Sequence, residues 1–320
     1  MTKRYTPFRT HFTENHIHAL RTVALLVNAT PQSVAFSYGN TSKHGANYWR
    51  KYLNDLIARD LVLCKPIVTT AINRNGTKTG RRCGSLFALT QRGAECLAES
   101  LELPHEDEAV YFPRGGITSG SPLMYPHRAS LLDVLGMIIG LEKLQPDFEV
   151  LANFPYFRHE NSNAQNRTGF AIGRVEVQQD EGEPYISPVL IPDAIVKIRS
   201  GERVRLVAIE LHRQTSVQGI IEALRKHAQA IETGVFNQKF DVPKVNFVLS
   251  IHTDPDRLKN TVKQIKNGGF PDFERYMLGF NFATVEELIN GGINESLYLY
   301  QLDGAKGRIF EDYWINKAVP

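Results

Sequence analysis

Few cysteines are present, and their spacing excludes two common kinds of site. Cys64, Cys83 and Cys96 are the only three in 320 residues, and none belongs to a CxxC pair. This odd, scattered set predicts neither a disulfide framework nor a zinc site. The sequence also lacks an HExxH motif and a GxxxxGK[ST] phosphate loop, so it indicates neither a metalloprotease centre nor ATP use.

Long apolar runs are absent as well. No stretch approaches the length of a membrane span, and the first residues, MTKRYTPFRTHFTENH, contain no signal-peptide core. We therefore expect a cytoplasmic protein that does not contact a membrane. The contents of 42% hydrophobic and 22% charged residues are ordinary for a globular protein, and 320 residues suffice for two domains with separate cores.

The charge of the sequence is distributed unevenly along its length. Residues 1–100 contain 14 Lys and Arg against 5 Asp and Glu, a net charge of +9. The other 220 residues contain 23 basic and 29 acidic residues, a net charge of −6. A basic first part predicts contact with a polyanion. The alternative is a solvated basic face with no binding role.

Residues 10–102 predict a winged helix-turn-helix domain. Apolar stripes and capping signals indicate helices over 14–27, 31–38 and 42–59, with Thr13 and Thr30 as N-caps. Two β-rich runs, 61–72 and 85–89, then flank a turn-rich basic tip, and LTQRGAECLAES supplies a closing helix. Three helices, a β-hairpin and a final helix, in that order, describe a domain of this kind.

The third of these helices and the basic tip carry the candidate DNA contacts. Such a helix enters the major groove, where Asn, Arg and Lys reach base edges, while basic hairpin side chains neutralise phosphates. The candidates are Lys43, His44, Asn47, Arg50 and Lys51 on the helix and Arg74, Lys78, Arg81 and Arg82 on the hairpin. Winged helices also serve as protein-interaction modules, but a basic helix beside a basic hairpin favours DNA.

The remaining sequence predicts a linker over residues 103–126 and a second domain over residues 127–320. The linker is rich in proline, glycine and acidic residues. HRASLLDVLGMIIGLEKLQ then predicts a helix, followed by three strands, a helix and a buried strand, the order α-β-β-β-α-β. The expected fold class is therefore α+β and α/β, a winged helix-turn-helix followed by a mixed sheet with flanking helices.

Two acidic residues interrupt the most hydrophobic predicted strands. Asp193 lies in VLIPDAIV and Glu210 in RLVAIELH. Gly201-Glu202 between them suits a two-residue type II′ hairpin turn, in which the numbers of paired residues sum to 403. Asp193 and Glu210 therefore face each other across the predicted hairpin, with Cβ atoms about 5 Å apart.

Opposed like charges on a sheet are destabilising, so a shared proton, a basic neighbour or a divalent cation must offset them. Hard oxygen donors suit Mg²⁺ or Mn²⁺, which lowers the pKa of bound water and stabilises charge on a phosphorane. His212, two residues after Glu210, points to the same side and is a candidate to orient water, bind metal or contact phosphate. The alternatives are two solvated acids on an edge hairpin, or a register shifted by one residue.

These motifs resemble those of a known group of proteins. Pro192-Asp193, followed after a strand-length gap by Glu210-Leu211-His212, resembles the PD-(D/E)xK nuclease signature. Such a core behind a winged helix resembles the plasmid replication-relaxation proteins and the related MOBC-type relaxases. FALTQRGAECLAE and PHRASLLDV look like the wing-exit and first core-helix segments of that group.

The resemblance implies a metal site in which Asp193, Glu210 and the backbone carbonyl of Leu211 bind Mg²⁺ or Mn²⁺. The lysine of the signature is His212 here, so the resemblance implies that another basic residue, Lys226 or Arg213, replaces it.

Cores of this kind often add an acid from their first helix, for which Asp133 and Glu142 are the candidates. A core without its lysine can also be catalytically inactive.

The sequence therefore supports two main hypotheses. The first is a metal-dependent DNA endonuclease of relaxase type that nicks a specific duplex site during plasmid or mobile-element mobilisation. Its implied partners are double-stranded DNA, other mobilisation proteins such as a coupling protein, and a second copy of the chain. The second is a replication or transcription regulator with an inactive nuclease-like domain. A restriction-type or transposition nuclease is a weaker third. Tyr156, Tyr185 and Tyr276 are candidate covalent nucleophiles, although such tyrosines are more often structural.

Overall fold

The computed structural model describes most of the chain. The described residues are 12–40, 44–72, 78–101, 110–113, 117, 124–143, 145–158, 171–177, 189–213, 215–242, 246–270 and 279–291. Within these ranges, helices and strands form a mixed α+β fold with one mixed five-stranded sheet. None of the helices found there combines the length and the apolar character that crossing a bilayer requires. Most of the expected linker, and the whole chain after residue 291, lies outside the described ranges.

Three helices open the described chain: α1 (Glu14–Leu26), α2 (Pro31–Ser37) and α3 (Gly45–Ala58). The two expected N-caps are present: the Thr13 backbone N–H donates to Nδ1 of His16 at 3.2 Å, and the Thr30 hydroxyl accepts from the backbone N–H of Ser33 at 3.0 Å. Helix α1 ends one residue earlier than expected because Val27 has a positive φ of 64°, which breaks the helical backbone.

A hairpin and a fourth helix follow: β1 (Val62–Ile72), β2 (Lys78–Leu89) and α4 (Gln91–Ser100). The second strand begins well before the expected 85–89. The prediction that Lys78, Arg81 and Arg82 lie in a turn-rich tip is therefore wrong, because all three are strand residues in the β1–β2 ladder. The ladder extends this far because it pairs backbone groups, whatever side chains the residues carry.

The central sheet has the strand order β3-β6-β7-β8-β9. Strands β3, β6 and β7 pair antiparallel, whereas β7, β8 and β9 are parallel. The bounds are β3 (Phe148–Pro155), β6 (Ala194–Ser200), β7 (Arg203–His212), β8 (Asn246–His252) and β9 (Phe280–Thr284). A separate short pair is formed by β4 (Val175–Glu176) and β5 (Val189–Leu190). Strand β9 was not expected from the sequence.

Helices cover both faces of this sheet. They are α5 (Tyr125–Gly140, followed by a 3-10 turn at Leu141–Lys143), α6 (Val217–Thr233), α7 (Val235–Phe240), α8 (Pro255–Gln264, followed by a π turn at Ile265–Gly269) and α9 (Val285–Gly291). The order α5-β3-β6-β7-α6-β8 matches the predicted α-β-β-β-α-β order. Helix α6 connects β7 to β8, as a crossover between parallel strands requires.

Alternate residues of β7 face two different hydrophobic clusters. Val207, Ile209 and Leu211 belong to the cluster that includes α1 and α5. Leu206 and Ala208 belong to the cluster that includes α6 and α8. This alternation follows from the two-residue period of a strand, and it means that both faces of the sheet are buried. We refer below to the α5 face and the α6 face.

Helix α5 lies between the sheet and α2, and one continuous hydrophobic cluster includes all three. A Cβ atom at Gly136 would lie 2.4 Å from the backbone oxygen of Ser33, and one at Gly140 would lie 2.4 Å from that of Phe36. Only glycine allows this approach of the helix backbones. The expected division into 10–102 and 127–320 stays a prediction, but the two parts share a core.

Two acids of α5 and its 3-10 turn strengthen this contact. Asp133 accepts a hydrogen bond of 3.2 Å from the Thr30 hydroxyl, and burial raises its pKa to about 7, although that hydrogen bond opposes the shift. Glu142 forms a two-point ion pair with Arg21, with distances of 2.6 and 3.0 Å. Both candidate first-helix acids therefore bind the N-terminal helices and are not placed beside Asp193 and Glu210.

Candidate functional site

The hairpin between β6 and β7 has the predicted turn and register. Gly201 has a φ of 58° and Glu202 is not among the residues with positive φ, as a type II′ turn requires. The ladder runs from Ser200 opposite Arg203 to Ala194 opposite Ile209, so its residue numbers sum to 403 as expected. Asp193 directly precedes β6 and lies just beyond the last pair of the ladder, where the same sum places it opposite Glu210 on β7.

Asp193 lies against the backbone of β7 and the first turn of α5. Its Oδ2 accepts a hydrogen bond of 2.7 Å from the backbone N–H of Leu211. The Nε2 atom of His127 lies 3.4 Å from the same oxygen and 3.2 Å from the carbonyl oxygen of Leu211. Burial lowers the pKa of His127, but the contacts with Asp193 and Leu211 outweigh it, so the pKa is raised.

Glu210 has a different imidazole partner on the α6 face. Its Oε1 accepts from Nε2 of His227 at 2.7 Å, and the His227 side chain is fully buried. Burial raises the pKa of Glu210, and the hydrogen bond from His227 opposes that shift. The charge of Asp193 adds to the increase. In the described residues, the basic neighbours that offset the opposed acids are therefore two histidines.

Neither histidine was singled out from the sequence, although a signal was present. His227 follows Ile220 and Leu224 on the buried stripe of α6, and His127 precedes Leu131 at the same kind of position on α5. A histidine on a stripe that otherwise contains aliphatic residues requires a polar partner, because a buried polar group without one is costly. From the sequence, a lysine and not a histidine was expected as the basic residue near the two acids.

His212 lies on the α6 face with Glu210, as predicted, but contacts a different group. Its Nε2 lies 3.0 Å from the Ser250 hydroxyl, which lies 3.2 Å from Nε2 of His252. All three residues are buried. Burial, aided by the neighbouring His252, lowers the pKa of His212 to about 3, and burial together with Arg257 lowers that of His252 to about 4.

The two candidates for the missing lysine lie in different places. Lys226 is on α6 and its Nζ lies 3.6 Å from Glu222, whereas the next residue, His227, contacts Glu210. Arg213 directly follows β7 and lines a pocket of about 670 Å³. The other lining residues are Pro126, Ser130, Thr253, Val285, Glu286 and Ile289. This pocket lies at the carboxyl ends of the parallel strands, where open α/β sheets bind ligands.

Tyr156 is the candidate nucleophile that falls within the described residues. Its ring centroid lies 6.0 Å from that of His127. Tyr185 and Tyr276 lie outside the described residues.

The chain also contains a histidine-hydrophobic-histidine sequence, His16-Ile17-His18. It lies on α1, where residues two apart do not share a face. His16 contacts Asp55 at 2.9 Å and His18 contacts Ser37 at 2.9 Å, so the two imidazoles have separate partners. This sequence does not form a paired metal site.

The candidate DNA contacts on α3 are exposed. His44 directly precedes the helix, and Asn47, Arg50 and Lys51 lie on its surface. Lys43 and Arg74 lie outside the described residues, and for Lys78 and Arg81 only the strand backbone is described. Arg82 is exposed on β2 and donates to the Ser85 hydroxyl. The described part of the predicted interface is therefore the surface of α3, with Arg82 on β2.

The donor atoms near Asp193 are oxygens, the chemical type that a hard cation binds. Two carboxylates and the carbonyl of Leu211 supply oxygen, which Mg²⁺ and Mn²⁺ prefer. Oδ2 of Asp193 and the oxygen of Leu211 lie 3.4 and 3.2 Å from the same atom, Nε2 of His127. Within the described ranges, no group of three His, Cys, Asp or Glu side chains is placed so that it could hold a metal ion.

No family model, curated protein or solved structure matches the chain.

Proposed function

We propose that the protein is a metal-dependent DNA endonuclease that nicks one strand of a specific duplex site, as the resemblance to relaxases implies. The observation that carries this proposal is that Asp193 Oδ2 and the Leu211 carbonyl oxygen, at the end of the hairpin that also carries Glu210, lie 3.4 and 3.2 Å from the same atom, Nε2 of His127. Two carboxylates and a strand carbonyl at the end of a hairpin are the donor set that a PD-(D/E)xK nuclease core supplies.

The order of the elements supports the same fold. From α5 to β8, the elements of the central sheet follow the order helix, three antiparallel strands, crossover helix and parallel strand, with Asp193 directly before the second strand and Glu210 on the third. The N-terminal order of three helices, a hairpin and a helix supports a winged helix-turn-helix. Binding by one part and cleavage by the other agrees with the basic first hundred residues and the acidic remainder.

The chain's own residues would hold and orient the reacting groups. A bound cation would lower the pKa of a water molecule and stabilise charge on the phosphate. Asp193, Glu210 and the Leu211 carbonyl would hold that cation. Arg213, which lines the pocket at the carboxyl ends of the parallel strands, would bind a phosphate of the DNA strand and so supply the positive charge that the signature lysine supplies in other nucleases.

The cleavage test uses supercoiled plasmid that carries the cognate site, incubated with Mg²⁺ or Mn²⁺ and with EDTA controls. Asp193→Asn and Glu210→Gln preserve shape and remove charge, and both are expected to lower nicking at least 100-fold while DNA affinity is unchanged. Asp256→Asn, at an exposed carboxylate on α8, is the matched control and is expected to nick normally. Full nicking by both site variants would refute the assignment.

The DNA-binding test uses the surface of α3. Arg50→Ala and Lys51→Ala are each expected to weaken duplex binding. Each should also reduce the slope of log affinity against log salt by about 0.9 for every phosphate that the protein no longer neutralises. Lys259→Ala, at an exposed lysine of α8, is the matched control. Unchanged affinity and slope in both α3 variants would remove this helix from the interface.

A second candidate function is a DNA-binding regulator with an inactive nuclease-like domain. The observation in its favour is that His127 and His227 already contact the two acids, so a cation is not needed to offset their charge. This alternative predicts sequence-specific binding without nicking in either metal. The plasmid assay therefore separates the two functions.

A further inference from the structure

The pocket of about 670 Å³ at the carboxyl ends of β7 and β8 is lined largely by residues of two helices. Pro126 and Ser130 lie four residues apart on α5, so they share one face of that helix. Val285 and Glu286 of α9 lie four and three residues before Ile289, so these three also share a face. Small-molecule sites have volumes of about 300–1,000 Å³. The pocket is therefore large enough for a small molecule or for one unit of a polymer.

The remaining lining residues, Arg213 and Thr253, directly follow β7 and β8. The backbone N–H of Thr253 donates to the carbonyl oxygen of His212 at 3.1 Å, which continues the pairing of the two strands past their ends. At α9, the Thr284 hydroxyl accepts from the backbone N–H of Glu287 at 3.1 Å, and the Glu287 carboxylate accepts from that of Thr284 at 2.9 Å. This capping box defines where α9 begins. Hydrogen bonds therefore hold the backbone of the lining residues in place.

Two side chains of opposite charge line this pocket without forming an ion pair. Arg213 and Glu286 are exposed, and neither is ion-paired with another residue in the described part of the chain. A guanidinium group binds phosphate through paired hydrogen bonds, whereas an ionised carboxylate only accepts hydrogen bonds. Pro126, Val285 and Ile289 add an apolar surface. The pocket therefore suits an occupant with an anionic group, an apolar or aromatic body and a hydrogen-bond donor.

We propose that this pocket binds a single nucleotide whose base carries an exocyclic amino group. The phosphate of the nucleotide binds Arg213, and its base packs on the side chains of Val285 and Ile289. The amino group of the base donates a hydrogen bond to Glu286. This inference rests on the proposed function, in which Arg213 binds a phosphate of the DNA strand, and it adds a base preference to that function.

The chemistry of the base decides which nucleotide the pocket accepts. Cytosine presents its N4 amino group, from which a carboxylate accepts, whereas thymine presents the O4 carbonyl oxygen at the same position. A carboxylate and a carbonyl oxygen are both acceptors, so Glu286 disfavours thymine. A base enters such a pocket only after it leaves the stack, which costs least where the strand is already unpaired. The pocket therefore takes a nucleotide from an unpaired strand or one that is extruded from the duplex.

The experiment titrates the full-length chain, labelled with ¹³C at its isoleucine, leucine and valine methyl groups, and records NMR spectra without added metal. The probes are dCMP, dTMP and inorganic phosphate. We expect dCMP to shift the methyl signals of Val285 and Ile289 and to leave those of Val68, an exposed valine of β1, unchanged. For dTMP we expect binding that is weaker by about fivefold or more, because its base offers Glu286 no amino group. Inorganic phosphate should leave the methyl signals of Val285 and Ile289 unshifted.

Three variants assign the two charged side chains. Arg213→Gln is expected to lower the affinity for dCMP by about tenfold or more, because the phosphate loses a charged donor. Glu286→Gln should still bind dCMP but should lose most of the preference over dTMP, since the amide of glutamine can donate to O4 of thymine. Both residues are exposed, so the fold tolerates these changes. Lys259→Gln, at an exposed lysine of α8, is the matched control and should change neither affinity.

The outcomes separate this inference from the proposed function. Unshifted methyl signals at Val285 and Ile289 with dCMP, or equal shifts with inorganic phosphate alone, overturn the nucleotide site. Equal affinity for dCMP and dTMP overturns the base preference. The titration involves neither metal nor cleavage, so a nicked plasmid without these shifts removes the inference and leaves the endonuclease in place. Shifts without nicking leave the nucleotide site in place and remove the endonuclease.

Discussion

The two faces of the central sheet differ most at the carboxyl ends of the parallel strands. On the α5 face, aliphatic side chains continue to the end of the strands, with Leu211 and Ile251 buried in the larger cluster. On the α6 face, the same strands carry Glu210, His212, Ser250 and His252. At these strand ends one face is aliphatic, whereas the other is polar.

This difference separates a part of the fold that is stabilised by apolar burial from the polar part that contains the candidate site. The α5 face gains stability from apolar burial and from helices that approach closely at glycine. The α6 face buries polar groups that need each other as partners, which costs stability when one is removed. Variants on the two faces should therefore differ in the size and in the pH dependence of their effects.

The largest expected effect is on the α5 side. Gly136→Ala should lower the free energy of unfolding by about 3 kcal/mol, because its Cβ would lie 2.4 Å from the Ser33 backbone oxygen and two helix backbones would have to separate. Urea denaturation measures this loss. Gly219→Ala, in the first turn of α6, is the control and should be close to neutral, since its new Cβ meets only side-chain atoms. Equal effects at the two glycines would contradict the close approach.

A smaller effect is expected where the polar face loses a partner. Glu210→Ala leaves the buried His227 without its acceptor and should cost about 2 kcal/mol. Glu210→Gln keeps an oxygen in place and should cost much less. Thermal and urea unfolding of the two variants measure the difference. A glutamine variant as unstable as the alanine variant would mean that the charge of Glu210, and not its hydrogen bond, stabilises the fold.

The polar face should also make stability depend on pH. The pKa of His252 is lowered by burial to about 4, from an ordinary value of 6.5, and Ser250, His212 and Arg257 surround it. Below pH 6.5 the imidazole of His252 binds a proton in the unfolded chain but stays neutral in the folded chain. Stability is therefore complete above pH 6.5 and is lost as the pH falls towards 4, by up to about 1.4 kcal/mol per pH unit for one histidine.

His252→Gln should flatten this slope. Urea denaturation at several pH values between 4 and 7 measures it, and His44→Gln, at an exposed histidine, should leave it unchanged. A slope that is unaffected by His252→Gln would show that other groups dominate in this range.

The smallest expected effect on stability is at the residue proposed to matter most for cleavage. Asp193→Asn retains an oxygen that can accept from the Leu211 N–H, and the side chain is partly exposed. Its free energy of unfolding should change by less than about 0.5 kcal/mol. A large destabilisation would show that Asp193 is a structural residue and would weaken the functional interpretation of the polar strand ends.

Much of the fold could be predicted from local sequence signals. Thr13, Thr30 and Pro31 mark where helices begin, and the aliphatic stripe of α5 marks a buried helix. The Gly201-Glu202 turn specified the β6–β7 register correctly. Strand β9 was missed because FNFAT is a short apolar run without a clear period, which fits a helix or a strand equally well. The extent of β2 was missed because basic residues resemble a solvated tip.

For the candidate site, only the backbone pairing of the strands could be predicted from the sequence. The pairing of Asp193 with Glu210 follows from strand geometry, whereas their partners come from helices remote in sequence. His127 precedes Asp193 by more than sixty residues, and no spacing rule links them. Such contacts depend on how α5 and α6 cross the sheet, which is set by packing and not by local pattern.

The packing of α5 between α2 and the sheet has a mechanical consequence. A flexible tether would let a cutting centre reach many phosphates around a bound site, whereas a common core holds the two parts as one solid body. A protein of the proposed function would then cleave DNA at a fixed distance from the sequence that it binds. The protein would set the number of base pairs between the sequence that it binds and the bond that it cleaves. Extra base pairs inserted beside the bound sequence would therefore leave this spacing unchanged, and a different bond would be cleaved.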